Sequence, residues 1–151
     1  MRSRREVCDS AADPSPLLST HGLSVAGILI IDDHSPSRDR VRAVAGSLEL
    51  PVCAEFRSGE EALTRLGDDC PELIIVDVHP PGAVDGIELI RRLREEAPDA
   101  TIIACGLFDD AATVSEAFEA GAHRCLRKPL RNEDLVRLLE KHRAQAAPYL
   151  T

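Results

Sequence analysis

The sequence predicts an α/β protein with a doubly wound, five-stranded parallel sheet. Two observations support this prediction. Short apolar runs alternate with longer amphipathic stretches along most of the chain, and acidic residues stand at the ends of two of those runs. Strict strand–helix alternation places helices on both faces of a parallel sheet, joined by right-handed crossovers. A chain of 151 residues has room for one such domain with a substantial core.

Five apolar runs have the length of a buried strand. They contain many β-branched residues, among them Ile30, Ile75 and Ile103, which favour strands. The predicted strands are Gly27–Ile31, Val52–Ala54, Leu73–Val78, Thr101–Cys105 and His123–Leu126.

Five amphipathic stretches follow these runs and form the predicted helices. Ser35-Pro36 opens the first, Ser58 precedes the second, Asp109 or Asp110 can cap the fourth, and Asn132 can cap the fifth. Each stretch carries apolar residues at helical spacing. These residues are Val41, Val44, Ala45 and Leu48; Ala62, Leu63 and Leu66; Ile87, Leu89, Ile90 and Leu93; Val114, Ala117 and Phe118; and Leu135, Val136, Leu138 and Leu139.

The strand count and length suggest the flavodoxin-like strand order 2-1-3-4-5. In this order a crevice opens beside the carboxyl ends of strands one and three. Asp32 and Asp33 follow the first strand, and Asp77 lies at the end of the third. The sequence therefore predicts that three carboxylates meet in one crevice.

The chemistry of this crevice favours a divalent cation. Three neighbouring carboxylates repel one another and raise one another's pKa values unless a cation neutralises them. Mg²⁺ accepts a few carboxylates and keeps waters, which leaves positions for phosphate oxygens. We expect Asp33 as a direct ligand, Asp32 as a ligand through water, Asp77 as the third, and the backbone carbonyl of His79 to complete the set.

A carboxylate at the end of a rigid strand can act as a nucleophile. Asp77 is so placed, and attack on a phosphoryl donor would give an aspartyl phosphate. A metal and a fixed cation then stabilise charge on the transferring group. Lys128, which precedes Pro129 after the last strand, stands at the same edge. Its ammonium is expected to contact the carboxylates when the site holds no phosphoryl group, and to contact the phosphoryl group once Asp77 carries one.

Composition argues against several classes of function. The formal net charge is -8, and the basic residues form no stripe, so no direct nucleic-acid role is expected. No apolar run approaches the roughly 20 residues of a membrane span. No apolar stretch follows the N-terminal arginines, so a signal peptide is not expected either. We expect a cytoplasmic protein without membrane contact.

The cysteines predict neither a metal site nor disulfides. The chain has five, and none forms a C-x-x-C pair. Cys53, Cys105 and Cys125 sit in apolar segments, where small buried hydrophobic side chains are expected.

Specific motifs resemble the receiver domain of two-component response regulators. The resemblance runs from Gly27 to about Arg143, so it covers most of the chain. Its motifs are Ile28-Leu-Ile-Ile-Asp-Asp-His34, Ser58-Gly-Glu-Glu-Ala-Leu63, Leu73-Ile-Ile-Val-Asp77, Asp85-Gly86, Gly121-Ala122 and Lys128-Pro129.

The resemblance implies a set of roles. Asp32 and Asp33 would bind Mg²⁺, Asp77 would take phosphate from a histidine kinase or phosphotransfer protein, and Lys128 would contact it. The Lys128–Pro129 bond is expected to be cis. We expect a flexible extension over residues 1–25, a receiver domain over 26–147 and a short tail over 148–151. Such a stand-alone receiver would signal to a protein effector through helix four, strand five and helix five, a face that can also form a homodimer.

Two positions depart from the receiver pattern. Gly106 stands where receivers usually end strand four with Thr or Ser, and Cys125 stands where an aromatic residue normally turns inward. The usual coupling between hydroxyl and ring is therefore absent. Leu107, bulky at the phosphorylation mouth, predicts slow loss of phosphate. His79 lies in a loop that is one residue longer than usual and can bond the phosphate, although an exposed loop histidine is the simpler interpretation.

Two alternatives compete with the phosphorylation switch. Gly106 and Cys125 favour an interaction module that keeps the fold but does not respond to phosphate. A Mg²⁺-dependent phosphohydrolase of the haloacid-dehalogenase type also uses an aspartyl nucleophile. That class carries a second aspartate where this chain has His79, and its cap domain does not fit this length. We therefore do not expect an enzyme.

Overall fold

The computed structural model describes residues 27–66, 71–79 and 85–146. The predicted N-terminal extension and C-terminal tail lie outside the described residues, as do Cys8 and Cys70. Among the residues that the structure describes, no helix is long and apolar enough to cross a membrane.

The described residues form a parallel sheet with the strand order β2-β1-β3-β4-β5, which confirms the predicted fold class and topology. The sequence-based strand limits are off by one or two residues. The strands are β1 Ile28–Ile31, β2 Val52–Phe56, β3 Leu73–Asp77, β4 Thr101–Gly106 and β5 Arg124–Arg127. The helices are α1 Ser35–Ser47, α2 Gly59–Arg65, α3 Gly86–Glu96, α4 Ala111–Ala120 and α5 Asn132–Ala146.

The hydrophobic core has two layers, one on each face of the sheet. On one face, Leu29 of β1 packs in a cluster with residues of α2, α3 and α4, including Leu89. On the other face, Ile30 of β1 packs with α1 and α5 residues such as Leu135. Every residue of β1 and β3 is buried, as expected for central strands covered on both sides. The acidic residues at the carboxyl ends of these strands are therefore anchored by strands that are buried along their whole length.

Side-chain caps fix where three of the helices begin. The Ser58 hydroxyl accepts a hydrogen bond from the Glu61 N–H at the start of α2. The Asp85 carboxylate accepts from N–H groups in the first turn of α3. Asp110, and not Asp109, caps α4 through the Thr113 N–H. The structure starts α5 at Asn132 itself, one residue earlier than a cap at that position implies.

Three apolar residues are less buried than their sequence context suggests. Phe118 is 46% exposed. The helix α4 packs on the sheet through Ala117 and Ala120, so Phe118, which directly follows Ala117, points outward. Cys53 and Cys125 are half-buried. Each lies on an edge strand, β2 or β5, where the helices cover the sheet incompletely. Cys105 on β4 is fully buried, as predicted.

The start of α3 packs directly on the segment that follows Asp77. A Cβ atom on Gly86 would lie 1.7 Å from the carbonyl oxygen of Val78. Glycine is therefore required for α3 to approach this closely. The contact fixes the backbone that leaves β3 just beyond the acid crevice.

Gly86→Ala is expected to destabilise the protein by about 3 kcal/mol, because the added methyl group must displace backbone atoms. Gly46→Ala is the matched control, since a Cβ there meets nothing within 4 Å on α1. That change should stabilise by about 0.5–1 kcal/mol through helix propensity. Urea unfolding of both variants measures the difference. Equal free energies of unfolding for the two variants would contradict the close contact at Gly86.

Candidate functional site

Three carboxylates converge at the carboxyl edge of the sheet. Asp32 and Asp33 follow β1, Asp77 ends β3, and these two strands are paired neighbours. One carboxylate oxygen from each residue lies within 4.8 Å of those of the other two. Asp32 and Asp77 are 4% and 5% exposed, whereas Asp33 faces solvent. The structure thus brings together the three acids that the sequence analysis singled out.

Lys128 supplies the positive charge at this site. Its Nζ lies 2.8 Å from Oδ2 of Asp32 and 3.6 Å from Oδ2 of Asp77. The backbone holds the residue in place, because its N–H donates to the Gly106 carbonyl at 2.8 Å. The Lys128–Pro129 peptide bond is cis, as the resemblance implies. The contact expected between the lysine and the acid crevice is therefore present.

The protonation chemistry of the site reflects crowding of negative charge. Burial raises the pKa of Asp77 above its ordinary value, and the charges of Asp32 and Asp33 act in the same direction. The His79 N–H and Lys128 act against this shift. Burial alone would lower the pKa of Lys128, but its hydrogen bond and charge attraction to Asp32 raise it. Lys128 therefore remains an ammonium ion beside the carboxylates at neutral pH.

The donor set fits a small divalent cation. Within the part of the chain that the structure describes, three carboxylates face one ammonium group, so when all are charged the cluster has a surplus of negative charge. Hard oxygen donors around a partly solvated position are what Mg²⁺ requires, because it keeps several waters. Exposed Asp33 adjoins solvent, and buried Asp32 and Asp77 form the inner wall. The chemistry and spacing of these oxygen donors therefore fit Mg²⁺.

The turn at Asp32 is held by hydrogen bonds that the sequence analysis missed. The Asp32 Oδ1 accepts from the His34 N–H at 2.9 Å, and the Asp32 carbonyl accepts from Nη1 of Arg38 at 2.8 Å. The Asp32 N–H donates to the Phe56 carbonyl of β2. Arg38 carries no motif signal, since one arginine on a polar helix face is common. The sequence offered one hint of this bond: Arg38 follows Asp32 by six residues and so lies in the first turns of α1, close to the turn.

His79 contributes its backbone to the site. Its N–H donates to Oδ1 of Asp77 at 3.1 Å, an interaction that the sequence analysis did not anticipate. The coordination of a metal by its carbonyl oxygen stays a prediction. Most of the loop that was predicted to be longer than usual lies in residues 80–84, outside the described residues.

Another side chain fills the space beside Gly106. A Cβ atom on Gly106 would lie 2.5 Å from Cγ2 of Val78 and 3.7 Å from Cζ of Phe108. A side chain at position 106 would therefore clash with this valine methyl unless the valine shifted. Leu107 is 53% exposed, and Phe108 has a positive φ of 50°. Cys125 packs at the margin of the same core cluster and offers no ring.

These features define a class of protein: an α/β domain that presents a strand-end aspartate, an acid pair and a lysine in one crevice. Residues 28–140 match the family model of the response regulator receiver domain. The chain therefore belongs to the receiver domain family of two-component response regulators, as the motifs implied. Phosphorelay signalling and Mg²⁺ binding are general to this family.

Sequence relatives include regulators of different sizes. The chain is 35% identical over 76% of its length to the positive alginate biosynthesis regulatory protein of Pseudomonas aeruginosa, of which it covers 46%. It is 32% identical over 82% of its length to the transcriptional regulatory protein DegU of Brevibacillus brevis, covering 52%. It thus spans about half the length of these two relatives. Chemotaxis protein CheY of Listeria monocytogenes is 26% identical to this chain. The match covers 76% of this chain and 95% of that CheY protein.

Solved structures agree with this assignment. A putative response regulator from Chloroflexus aurantiacus has 30% identity and a TM-score of 0.69, with 79% of this chain and 98% of that chain covered. A CheY-like receiver domain protein from Methanospirillum hungatei gives a TM-score of 0.72 at 20% identity, with 83% and 99% covered. The second similarity supports the fold alone.

Asp77→Asn is expected to stabilise the metal-free protein. The substitution removes a buried negative charge beside two others, so the melting temperature in EDTA should rise by about 2–4 °C for a gain of about 1 kcal/mol. Mg²⁺ should raise the melting temperature of the wild type more than that of the variant, because binding to the folded state stabilises it. Differential scanning calorimetry with and without Mg²⁺ measures both effects.

Asp33→Asn provides the control for burial, because it makes the same chemical change at the exposed carboxylate. Its effect in EDTA should be smaller than that of Asp77→Asn. A lower melting temperature for Asp77→Asn than for the wild type in EDTA would contradict the charge-crowding account.

Proposed function

We propose that this chain is a phosphorylation-dependent receiver that accepts a phosphoryl group on Asp77 from a histidine kinase or phosphotransfer protein. The observation that carries the proposal is the position of Asp77. It is a 5%-exposed carboxylate at the end of a central strand, with two more carboxylates and the Lys128 ammonium within reach. Family membership supports the same chemistry.

The reaction transfers a phosphoryl group between two nucleophiles. A carboxylate oxygen of Asp77 forms a bond to phosphorus while the bond from phosphorus to the donor histidine nitrogen breaks. The electron pair of that bond returns to the imidazole ring. Lys128 lies 3.6 Å from Asp77 and can follow the negative charge onto the phosphoryl oxygens. The product is an acyl phosphate on the rigid end of β3.

In this proposal the acid cluster holds the metal that the reaction requires. Asp33, Asp77 and the carbonyl of His79 serve as protein ligands, and Asp32 acts through water. Bound Mg²⁺ supplies positive charge that offsets the charge of the carboxylates and of the transferring group. Asp32 and Asp77 are themselves largely buried, which strengthens their electrostatic interactions with a bound cation and with Lys128.

The phosphorylated state then acts on a protein partner through the face of α4, β5 and α5. Gly106 and Cys125 provide neither hydroxyl nor ring, so the change in this face must pass through other contacts of the loop after β4. The side chain of Val78, which directly follows β3, packs beside Gly106 at the end of β4 and so links β3 to that loop. In this proposal residues 26–147 form the signalling domain, which acts in the cytoplasm as a switch and not as an enzyme. In this proposal the same face also forms the homodimer interface.

A second function is favoured by the same two residues. A module whose partner binding is independent of phosphate would tolerate Gly106 with Val78 packed against it, and Cys125 at the edge of the core. The retained acid crevice supports the switch over this alternative.

Intact-protein mass spectrometry tests the acceptor. After incubation with Mg²⁺ and acetyl phosphate, the wild type is expected to gain one phosphoryl group, because Asp77 has the required nucleophile and counter-charges. Asp77→Asn should gain none, and Asp39→Asn, which alters an exposed carboxylate on α1, should behave as the wild type does. No phosphoryl gain by the wild type with acetyl phosphate or a kinase donor, together with no binding of the phosphoryl analogue beryllofluoride, would support the constitutive module.

Leu107→Ala is expected to shorten the lifetime of the aspartyl phosphate by up to about tenfold, or about 1.4 kcal/mol in activation free energy. A smaller side chain at the mouth of the site admits water more easily. Phe118→Ala is the control, because Phe118 is similarly exposed but lies on α4. Phosphate release from the purified phosphoprotein measures the rate. If the Leu107 variant and the wild type lose phosphate equally fast, Leu107 does not shield the site.

A further inference from the structure

Arg38 links the acid turn to β2. Its Nη1 donates to the backbone carbonyl of Asp32 at 2.8 Å, and its Nε lies 3.3 Å from Oε1 of Glu55. The side chains of Arg38 and Glu55 are only 17% and 25% exposed. One planar guanidinium thus bridges a backbone acceptor and a carboxylate, a geometry suited to arginine and not to lysine.

Glu55 is itself held in place from its other side. Arg42 donates two hydrogen bonds to it, from Nε to Oε2 at 2.7 Å and from Nη2 to Oε1 at 3.0 Å. These bonds and the nearby charge of Arg38 lower the pKa of Glu55, despite its partial burial. Arg42 is also paired with Asp39 on its own helix. Glu55 is therefore a charged, oriented anchor for Arg38 at neutral pH.

Arg38 acts on the peptide group that joins Asp32 to Asp33. The other polar groups of Asp32 are held elsewhere: its carboxylate contacts Lys128 and the His34 N–H, and its N–H donates to β2. The Arg38 bond to the carbonyl fixes the plane of the peptide that follows. Because that plane sets the direction in which the next residue leaves the turn, it determines where the exposed Asp33 carboxylate can reach.

We infer that Arg38 is a positioning residue of the metal site. Glu55 holds the Arg38 guanidinium in place, and Arg38 in turn orients Asp33 toward the cation through its hydrogen bond to the Asp32 carbonyl. The inference rests on the proposed Mg²⁺ site and assigns a residue outside its ligands. Partners that orient metal ligands commonly contribute 10- to 100-fold to metal affinity. Arg38 fulfils this role through the backbone and not through a ligand side chain.

The sign of the effect distinguishes positioning from simple electrostatics. A guanidinium beside a cation site repels the metal, so removal of its charge would strengthen Mg²⁺ binding if charge alone mattered. Positioning requires the opposite result. Arg42 is the matched control because it lies one helical turn further along α1 and binds the same Glu55, whereas the Asp32 carbonyl accepts from Arg38.

Isothermal titration of the full chain with Mg²⁺ tests the inference. Arg38→Met is expected to weaken Mg²⁺ binding by about tenfold, whereas Arg42→Met should stay within about twofold of the wild type. Arg38→Lys keeps the charge but cannot bond both Glu55 and the Asp32 carbonyl, so it should also weaken binding. Equal or tighter binding by Arg38→Met, or equal losses in the Arg38→Met and Arg42→Met variants, would overturn the inference.

Amide hydrogen exchange in the metal-free proteins separates this inference from the proposed metal site. The amides of Asp32 and His34, which donate to the Phe56 carbonyl and to the Asp32 carboxylate, should exchange about tenfold faster in the Arg38 variants than in Arg42→Met, because the turn loses a restraining hydrogen bond. Unchanged exchange would contradict the positioning role even if Mg²⁺ binds. If the wild type binds no Mg²⁺, the metal site fails, and the exchange rates alone decide whether Arg38 orders the turn.

Discussion

The imbalance of charge at the carboxyl edge of the sheet is the constraint on which the rest of the site depends. Asp32, Asp33 and Asp77 lie together, and among the described residues Lys128 is the cation that pairs with their carboxylates. Burial of two of these carboxylates raises the cost of their charges. The fold can maintain this arrangement because β1 and β3 are the central strands, covered on both faces by helices. Their burial on both faces supports a crevice whose charge favours a cation.

The surrounding structure fixes the residues that leave this edge. Gly86 lets α3 press against the Val78 carbonyl, and the Val78 side chain occupies the space beside Gly106. On the other side of the crevice, Arg38 and Glu55 hold the turn after β1 from α1 and β2. Contacts made by neighbouring elements thus restrain the backbone at both strand ends. Restraint of this kind is how preorganised sites retain their geometry.

The sequence was sufficient to predict the fold class, the strand order and the gathering of Asp32, Asp33, Asp77 and Lys128. These features follow from hydrophobic periodicity and from the rule that parallel strands end at one edge. It did not reveal Arg38, because a hydrogen bond to a backbone carbonyl leaves no pattern in residue types. Nor did it explain Gly106, whose neighbour Val78 is distant by 28 positions along the chain but adjacent in space. The exposure of Phe118 depended on which face α4 turns to the sheet.

The most direct test of the central claim is a crystal structure of the chain with Mg²⁺ and beryllofluoride. The charge-imbalance account predicts Mg²⁺ bound by Asp33 and Asp77, a beryllofluoride group on the Asp77 carboxylate, and Lys128 moved from Asp32 toward that group. An empty crevice at saturating Mg²⁺ and beryllofluoride, with Lys128 still paired to Asp32, would contradict it.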